Sequence, residues 1–135
     1  MGKIRVLLAD DHSLFREGIA SILNAQPDFE VVGEAGNGLE VLAKAQELVP
    51  DLILMDVRMP GCDGVQATQW IKQRLPGIIV VMLTVRDDDD ILFQAIRNGA
   101  QGYLLKDMQA WDLVVLLRRT FAVRMSYHPR LATAQ

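Results

Sequence analysis

The chain has 135 residues, of which 50% are hydrophobic, with a formal net charge of −3 and a single cysteine. This size and apolar content suit one globular domain with a proper core, and the acidic balance argues against this domain binding nucleic acid by itself, which requires a basic face. One cysteine excludes an internal disulfide and fits a reducing cytoplasm, and no apolar stretch has the length of a membrane span or a signal peptide.

Five apolar runs of strand length alternate with five amphipathic runs of helix length. The strands are predicted at Ile4–Ala9, Phe29–Ala35, Asp51–Met55, Ile78–Leu83 and Gly102–Leu105. The second run alternates more than the others, which favours a position near an edge, and the third is the most apolar, which favours the centre. This order predicts an α/β fold with a parallel sheet and helices on both faces.

The predicted helices have recognisable ends. The segment Asp11–Ser13 offers capping side chains for the first helix, Asn37 begins the second, and Gly99 is expected to end the fourth. The acidic run 87–90 is interpreted as the start of the fourth helix, where negative charge suits the helix dipole, and not as a metal site.

The apolar pattern of the last helix ends at Phe121 and fades from Ala122 onward. We therefore expect one domain at residues 3–122. Residues 123–135 are expected to form an extension or the start of a linker.

Polar residues stand at the carboxyl ends of four predicted strands, where open α/β sheets place their sites. They are Asp10 and Asp11 after the first strand, Asp56 after the third, Thr84 after the fourth and Lys106 after the fifth. Three carboxylates in one crevice repel one another, and a hard divalent cation such as Mg²⁺ relieves that repulsion. A carboxylate nucleophile beside Mg²⁺, a lysine and a hydroxyl is suited to phosphoryl transfer onto aspartate.

Each of these residues has a simpler interpretation when it is taken alone. Asp11 could cap the first helix, Asp56 could cap a turn, and Thr84 and Lys106 are ordinary residues for the end of a strand. The phosphoryl-transfer hypothesis therefore depends on the joint pattern.

Three segments carry a resemblance to a known family. Ala9–His12, Leu54–Gly61 and Tyr103–Lys106 resemble the signature segments of response-regulator receiver domains, in particular the NarL/FixJ subfamily with LuxR-type output, over about Lys3 to Phe121. The resemblance implies a flavodoxin-like (βα)5 fold with a doubly wound five-stranded sheet. It also implies a cytoplasmic two-component switch that is phosphorylated by a sensor histidine kinase and is not a turnover enzyme. Homodimerisation on phosphorylation is expected, with DNA contacted only through an output domain outside this chain.

The resemblance also implies a role for individual residues. Asp56 is the phosphoryl acceptor, and Lys106 contacts the phosphoryl group. Asp11, Asp56 and the backbone carbonyl of Arg58 bind Mg²⁺, the only cofactor expected, while Asp10 acts mostly through water.

Thr84 and Tyr103 are expected to form the switch, in which the Thr84 hydroxyl contacts the phosphoryl group and the Tyr103 ring turns inward. Asp107 stands where many receivers have a proline after the lysine. We further hypothesise that Arg58 or Arg86 pairs with the phosphoryl group and obstructs attacking water.

Other classes of protein fit less well. A flavodoxin-like cofactor domain would need a phosphate loop where Asp10 and Asp11 stand, and a cobalamin domain would need glycine in place of Phe15. An aspartyl phosphatase would need a second aspartate in place of Arg58. A receiver-like scaffold that works without phosphorylation stays open as the alternative.

Overall fold

The computed structural model describes residues 2–84 and 89–127, and this part of the chain forms five strands that alternate with five helices. The strands are β1 (Ile4–Ala9), β2 (Phe29–Ala35), β3 (Leu52–Asp56), β4 (Ile79–Thr84) and β5 (Gly102–Leu105). The helices are α1 (Ser13–Asn24), α2 (Gly38–Leu48), α3 (Gly64–Arg74), α4 (Asp89–Arg97) and α5 (Ala110–Tyr127). Among the described helices, none has both the length and the apolar character that a membrane crossing requires.

The strands form one parallel sheet in the order β2-β1-β3-β4-β5. The central position of β3 and the edge position of β2 confirm the sequence predictions. Pairing aligns the carboxyl ends of neighbouring strands, with Asp56 opposite Leu83 and Thr84 opposite Leu105. This edge of the sheet therefore collects the polar residues that end the strands.

Two separate cores cover the two faces of the sheet, because successive side chains of a strand point to opposite faces. Leu7, Ile53 and Met55 face α2, α3 and α4, whose inward residues include Val41, Ala45, Val65 and Ile71. Val6, Leu8 and Leu54 face α1 and α5, whose inward residues include Ile19, Leu23, Leu113 and Leu117. Helices on both faces confirm the predicted architecture.

β3 and β4 lie one residue later than predicted. The ladder continues to their last residues because Asp56 pairs with Leu83 and the Val57 N–H donates to the Leu83 carbonyl at 3.0 Å. Asp51, predicted to begin β3, instead accepts a hydrogen bond from the Arg5 N–H through its carboxylate at 2.9 Å. Asp56 and Thr84 are thus the last residues of their strands.

The helix ends agree with the predictions in two of three cases. Asn37 caps α2, with its side chain accepting from the Glu40 N–H at 3.0 Å, and Gly99 after α4 has a φ of +112°, which favours glycine. The predicted cap of α1 is wrong, since His12 occupies the N-cap position and makes no side-chain capping bond. The carboxylate of Asp10 instead accepts a hydrogen bond from the His12 N–H.

α5 continues beyond the predicted end of the apolar pattern, to Tyr127. The segment from Ala122 to Tyr127 contains neither glycine nor proline, so nothing in it breaks the helix even though its apolar periodicity is weak. The first five residues of the predicted extension, 123–127, are therefore helical. The rest of that extension lies outside the described residues.

Candidate functional site

Asp10 lies directly after β1 and is buried, with 2% of its surface exposed. Its N–H donates to the Ala35 carbonyl at 3.0 Å, which extends the pairing of β1 with β2 by one residue. Its Oδ1 accepts the His12 N–H at 2.8 Å and lies 3.2 Å from His12 Nδ1. Asp11 follows at the rim, with 37% of its side chain exposed. The turn after β1 thus presents one buried and one partly exposed carboxylate.

Asp56 ends β3 and is 5% exposed. Its Oδ1 accepts the Arg58 N–H at 3.3 Å, and its Oδ2 accepts from Lys106 Nζ at 3.0 Å. Each carboxylate oxygen of Asp56 therefore accepts a hydrogen bond, one from the loop after β3 and one from the lysine that directly follows β5.

Lys106 connects the ends of three strands. Its N–H donates to the Thr84 carbonyl at 3.0 Å, which places it next to the end of β4. Its Nζ lies 3.0 Å from Asp56 Oδ2 and 3.0 Å from Asp10 Oδ2, and 5.1 Å from the centre of the Phe15 ring. One ammonium group thus neutralises part of the charge of two buried carboxylates.

The charges in this crevice perturb one another. Burial raises the pKa of Asp56, and the neighbouring charge of Asp10 acts in the same direction, while the Lys106 hydrogen bond opposes them. Burial by itself lowers the pKa of Lys106, but its contacts with the carboxylates of Asp10 and Asp56 outweigh that effect and the pKa is raised. The lysine is therefore firmly charged, whereas the Asp56 carboxylate is held in an environment that disfavours its ionised form.

The carboxylates fit a divalent cation. Ligand atoms of Asp10, Asp11, His12 and Asp56 all lie within 4.8 Å of one another. Asp10 Oδ2 is buried and makes no hydrogen bond, since Lys106 approaches it as an ion pair without hydrogen-bond geometry. A buried oxygen with spare acceptor capacity beside two other carboxylates is the oxygen-rich environment that Mg²⁺ prefers. His12 lies at the rim of the site, with 69% of its side chain exposed.

Gly64 shapes the loop between β3 and α3. A Cβ atom at this position would lie 2.3 Å from the Asp56 carbonyl oxygen, and the Gly64 N–H donates to the Val57 carbonyl at 2.9 Å. Asp63 then caps α3 by accepting the Gln66 N–H at 2.9 Å. The sequence alone did not point to Gly64, because its role depends on the close approach of two backbone segments.

The remaining predicted residues lie around this core. Thr84 ends β4 in a buried position beside Lys106, and Arg58 is exposed in the loop after β3. Tyr103 lies on β5 with 52% of its surface exposed, on the side of the sheet away from Leu104 and the α1–α5 core. Arg86 lies outside the described residues.

Comparison with known proteins identifies relatives along most of the chain. A family model for the response regulator receiver domain matches residues 6–118. The transcriptional regulatory protein YxjL of Bacillus subtilis is 48% identical over 116 residues, which cover 86% of this chain and 53% of that protein. The response regulator protein VraR of Staphylococcus epidermidis is 44% identical over 128 residues, which cover 95% of this chain and 61% of that protein. The chain thus spans between 53% and 61% of the length of these two relatives.

Solved structures show the same fold. The signal receiver domain of NarL from Mycobacterium tuberculosis superposes with a TM-score of 0.85 at 35% identity, covering 90% of this chain and 98% of that one. A LuxR-family two-component response regulator from Aurantimonas sp. SI85-9A1 superposes with a TM-score of 0.84 at 30% identity, covering 98% and 94%. The flavodoxin-like receiver fold and the resemblance to the NarL and LuxR group are therefore confirmed.

Proposed function

The chain belongs to the response regulator receiver domain family, in which an aspartate is phosphorylated, and we propose that Asp56 is that aspartate here. A carboxylate oxygen of Asp56 attacks the phosphorus of a phosphohistidine donor, the P–N bond breaks, and the electron pair leaves with the imidazole. The observation that supports this assignment is the position of Asp56, which ends the central strand among Asp10, Asp11 and Lys106.

Asp10, Asp11 and Asp56 would hold Mg²⁺, with the Arg58 carbonyl as a further ligand. When bound, the ion would supply charge neutralisation for the phosphoryl oxygens. Asp10 contributes charge from a buried position, and the partly exposed Asp11 faces solvent, where the donor arrives. His12 stands at the same rim and offers a nitrogen, which Mg²⁺ binds less readily than oxygen.

Lys106 would exchange partners during the reaction. Its ammonium group now lies 3.0 Å from both Asp10 and Asp56. Once Asp56 carries a phosphoryl group, a phosphoryl oxygen replaces the carboxylate as the partner of the lysine, and the buried Thr84 hydroxyl donates to another oxygen. Preorganised donors of this kind stabilise the charge that develops in the transition state.

The switch would connect this site to the surface of α4 and β5. Tyr103 is 52% exposed on β5, and Phe93 and Ile96 of α4 are also exposed large apolar residues. We propose that Thr84 moves toward the phosphoryl group and that the Tyr103 ring then turns inward, which remodels this surface and favours a homodimer.

The whole protein would be a cytoplasmic transcriptional response regulator with a sensor histidine kinase as phosphodonor. YxjL is described as a transcriptional regulatory protein, and its length exceeds the part that this chain matches. DNA would be contacted through an output domain that this chain does not include. The receiver would catalyse its own phosphorylation and slow dephosphorylation, without turnover of an external substrate.

The acceptor is tested by incubating the chain with Mg²⁺ and acetyl phosphate and measuring its intact mass. We expect one added phosphoryl group on the wild type, none on Asp56→Asn, and none when Mg²⁺ is removed. Asp51→Asn is the matched control, because Asp51 lies directly before the opposite end of the same strand and accepts a hydrogen bond from the Arg5 N–H. An adduct on Asp56→Asn would contradict the assignment, and no adduct on any variant would favour a scaffold that works without phosphorylation.

A further inference from the structure

Arg16 of α1 links the carboxyl ends of two strands from outside the acidic cluster. Its Nη1 donates to the backbone carbonyl of Asp10 and its Nε donates to Glu34 Oε1 at 2.9 Å. The side chain of Arg16 is 19% exposed, so these bonds lie largely out of solvent. Neither Arg16 nor Glu34 contributes an atom to the group that could hold a metal.

The Asp10 carbonyl is the first acceptor beyond the end of β1. The N–H of Asp10 donates to the Ala35 carbonyl of β2. The carbonyl of Asp10 accepts a hydrogen bond from Arg16, which lies on α1. The Asp10 carboxylate bonds within its own turn, to the His12 N–H. These contacts fix the backbone of the turn. The directions of the Asp10 and Asp11 carboxylates therefore depend on the orientation of the Asp10–Asp11 peptide unit, whose carbonyl Arg16 contacts.

Glu34 orients the guanidinium of Arg16 toward the Asp10 carbonyl. A guanidinium has a rigid fork of donors, so fixing Nε on Glu34 also orients Nη1 toward the Asp10 carbonyl. Glu34 is itself anchored, because its backbone carbonyl accepts a hydrogen bond from Lys44 Nζ of α2. The carboxylate of Glu34 also neutralises the guanidinium, so Arg16 acts on the acid pair mainly through hydrogen-bond geometry.

We propose that Arg16, oriented by Glu34, is a positioning residue that holds Asp10 and Asp11 in the geometry that binds Mg²⁺. This inference rests on the proposed function of the same site. Arg16 would then influence the affinity for Mg²⁺ without contacting the metal or the phosphoryl group. Residues that orient metal ligands typically change metal affinity about 10- to 100-fold when they are replaced.

The test is the Kd of Mg²⁺, measured by isothermal titration calorimetry on the folded chain. We expect Arg16→Gln to raise this Kd about tenfold. Glu34→Gln keeps an acceptor oxygen and is expected to cause a smaller increase. The double variant is expected to bind no more weakly than Arg16→Gln, because both substitutions break one chain of contacts.

Arg5→Gln is the matched control. Arg5 also donates from its guanidinium to a backbone carbonyl, that of Val49 at 2.9 Å, but at the opposite end of the sheet. We expect Arg5→Gln to bind Mg²⁺ with the same Kd as the wild type. Urea unfolding of each variant checks that the titrated protein is folded.

The outcomes separate the two proposals. If folded Arg16→Gln binds Mg²⁺ as tightly as the wild type, or if Arg5→Gln weakens binding equally, the positioning role is overturned while the proposed function stands. If the wild type binds no Mg²⁺, the proposed function fails first and this inference fails with it.

Discussion

Lys106 shows how a single residue balances the charge of the site. Two buried carboxylates lie within 3.0 Å of its Nζ, and burial raises the pKa of Asp56 in spite of this contact. The ammonium group therefore stabilises the protein when no cation is bound. It also repels an incoming cation, because both positive charges are attracted to the same carboxylates.

Replacing Lys106 is expected to change metal binding and phosphorylation in opposite directions. Lys106→Gln should strengthen Mg²⁺ binding about threefold or more, because a competing positive charge a few ångströms away is removed. The same variant should accept the phosphoryl group from acetyl phosphate about a hundredfold more slowly, since a donor to the transferred group is lost. Calorimetric titration and intact mass measured over time give the two quantities.

Lys3→Gln serves as the control for net charge, because Lys3 is exposed at the amino end of the sheet. A Lys106→Gln variant that bound Mg²⁺ more weakly would show that the lysine orders the site and does not compete with the ion.

The loop between β3 and α3 is the element on which the position of Asp56 depends. α3 begins at Gly64, whose backbone approaches the end of β3 so closely that a Cβ atom would lie 2.3 Å from the Asp56 carbonyl oxygen and 3.0 Å from the Val57 Cα. Neither neighbour is a flexible side chain, so a larger residue requires a shift of backbone. That shift would move the strand end that carries Asp56.

Gly64→Ala is therefore expected to destabilise the protein by about 1–3 kcal/mol, the usual range for overpacking. Gly18→Ala provides the comparison, because Gly18 lies within α1 with nothing within 4 Å of its added Cβ. It should stabilise the protein by roughly 0.5–1 kcal/mol, since alanine loses less conformational freedom in a helix. Urea unfolding measures the stability of both variants. A Gly64→Ala variant as stable as Gly18→Ala would show that the loop moves away from the added Cβ at no cost in free energy.

At the scale of the whole molecule, Arg118 joins α5 to a segment that is distant in sequence. Its Nε lies 2.6 Å from Asp28 Oδ2 and its Nη2 lies 2.9 Å from Asp28 Oδ1, across 90 residues of sequence. Its guanidinium also lies 5.8 Å from the centre of the Phe29 ring. The contact connects the last helix to the loop between α1 and β2, at the opposite end of the sheet from Asp56.

This pair predicts a dependence of stability on pH. The Arg118 hydrogen bond lowers the pKa of Asp28 from its ordinary value of 3.8, although burial opposes the shift. A carboxyl whose pKa is lower in the folded state stabilises that state above the unfolded pKa, and the effect is lost as pH falls through the folded pKa. Because both side chains are 39% exposed, solvent screening limits the contribution to about 1 kcal/mol or less.

Arg118→Gln should therefore unfold at a lower urea concentration than the wild type at pH 7 and at pH 5, by the same free energy at both. The difference should shrink as pH falls below 3.8. Arg119→Gln, an exposed neighbour on the same helix, controls for the loss of one positive charge. A difference that persists unchanged in acid would assign the effect of Arg118 to packing on Phe29.

The order and type of the elements followed from local pattern. Short, nearly continuous apolar runs favour strands covered on both faces, and the most apolar of them, Asp51–Met55, predicted the central position of β3. The strand ends were less accurate, because the last pair of β3 is decided by its neighbour β4. The end of α5 was missed because a helix continues through weakly amphipathic sequence when no residue breaks it.

The sequence by itself determined which chemical groups stand at the carboxyl edge of the sheet, since parallel strands must bring Asp10, Asp11, Asp56, Thr84 and Lys106 to that edge. Only the tertiary structure decided how these groups meet: that one ammonium group contacts two carboxylates, and that Arg16 reaches the Asp10 carbonyl while bound to Glu34. The physical reason is that hydrogen bonds act over about 3 Å. Contacts that short are decided by the packing of helices against the sheet, which no local pattern in the sequence encodes.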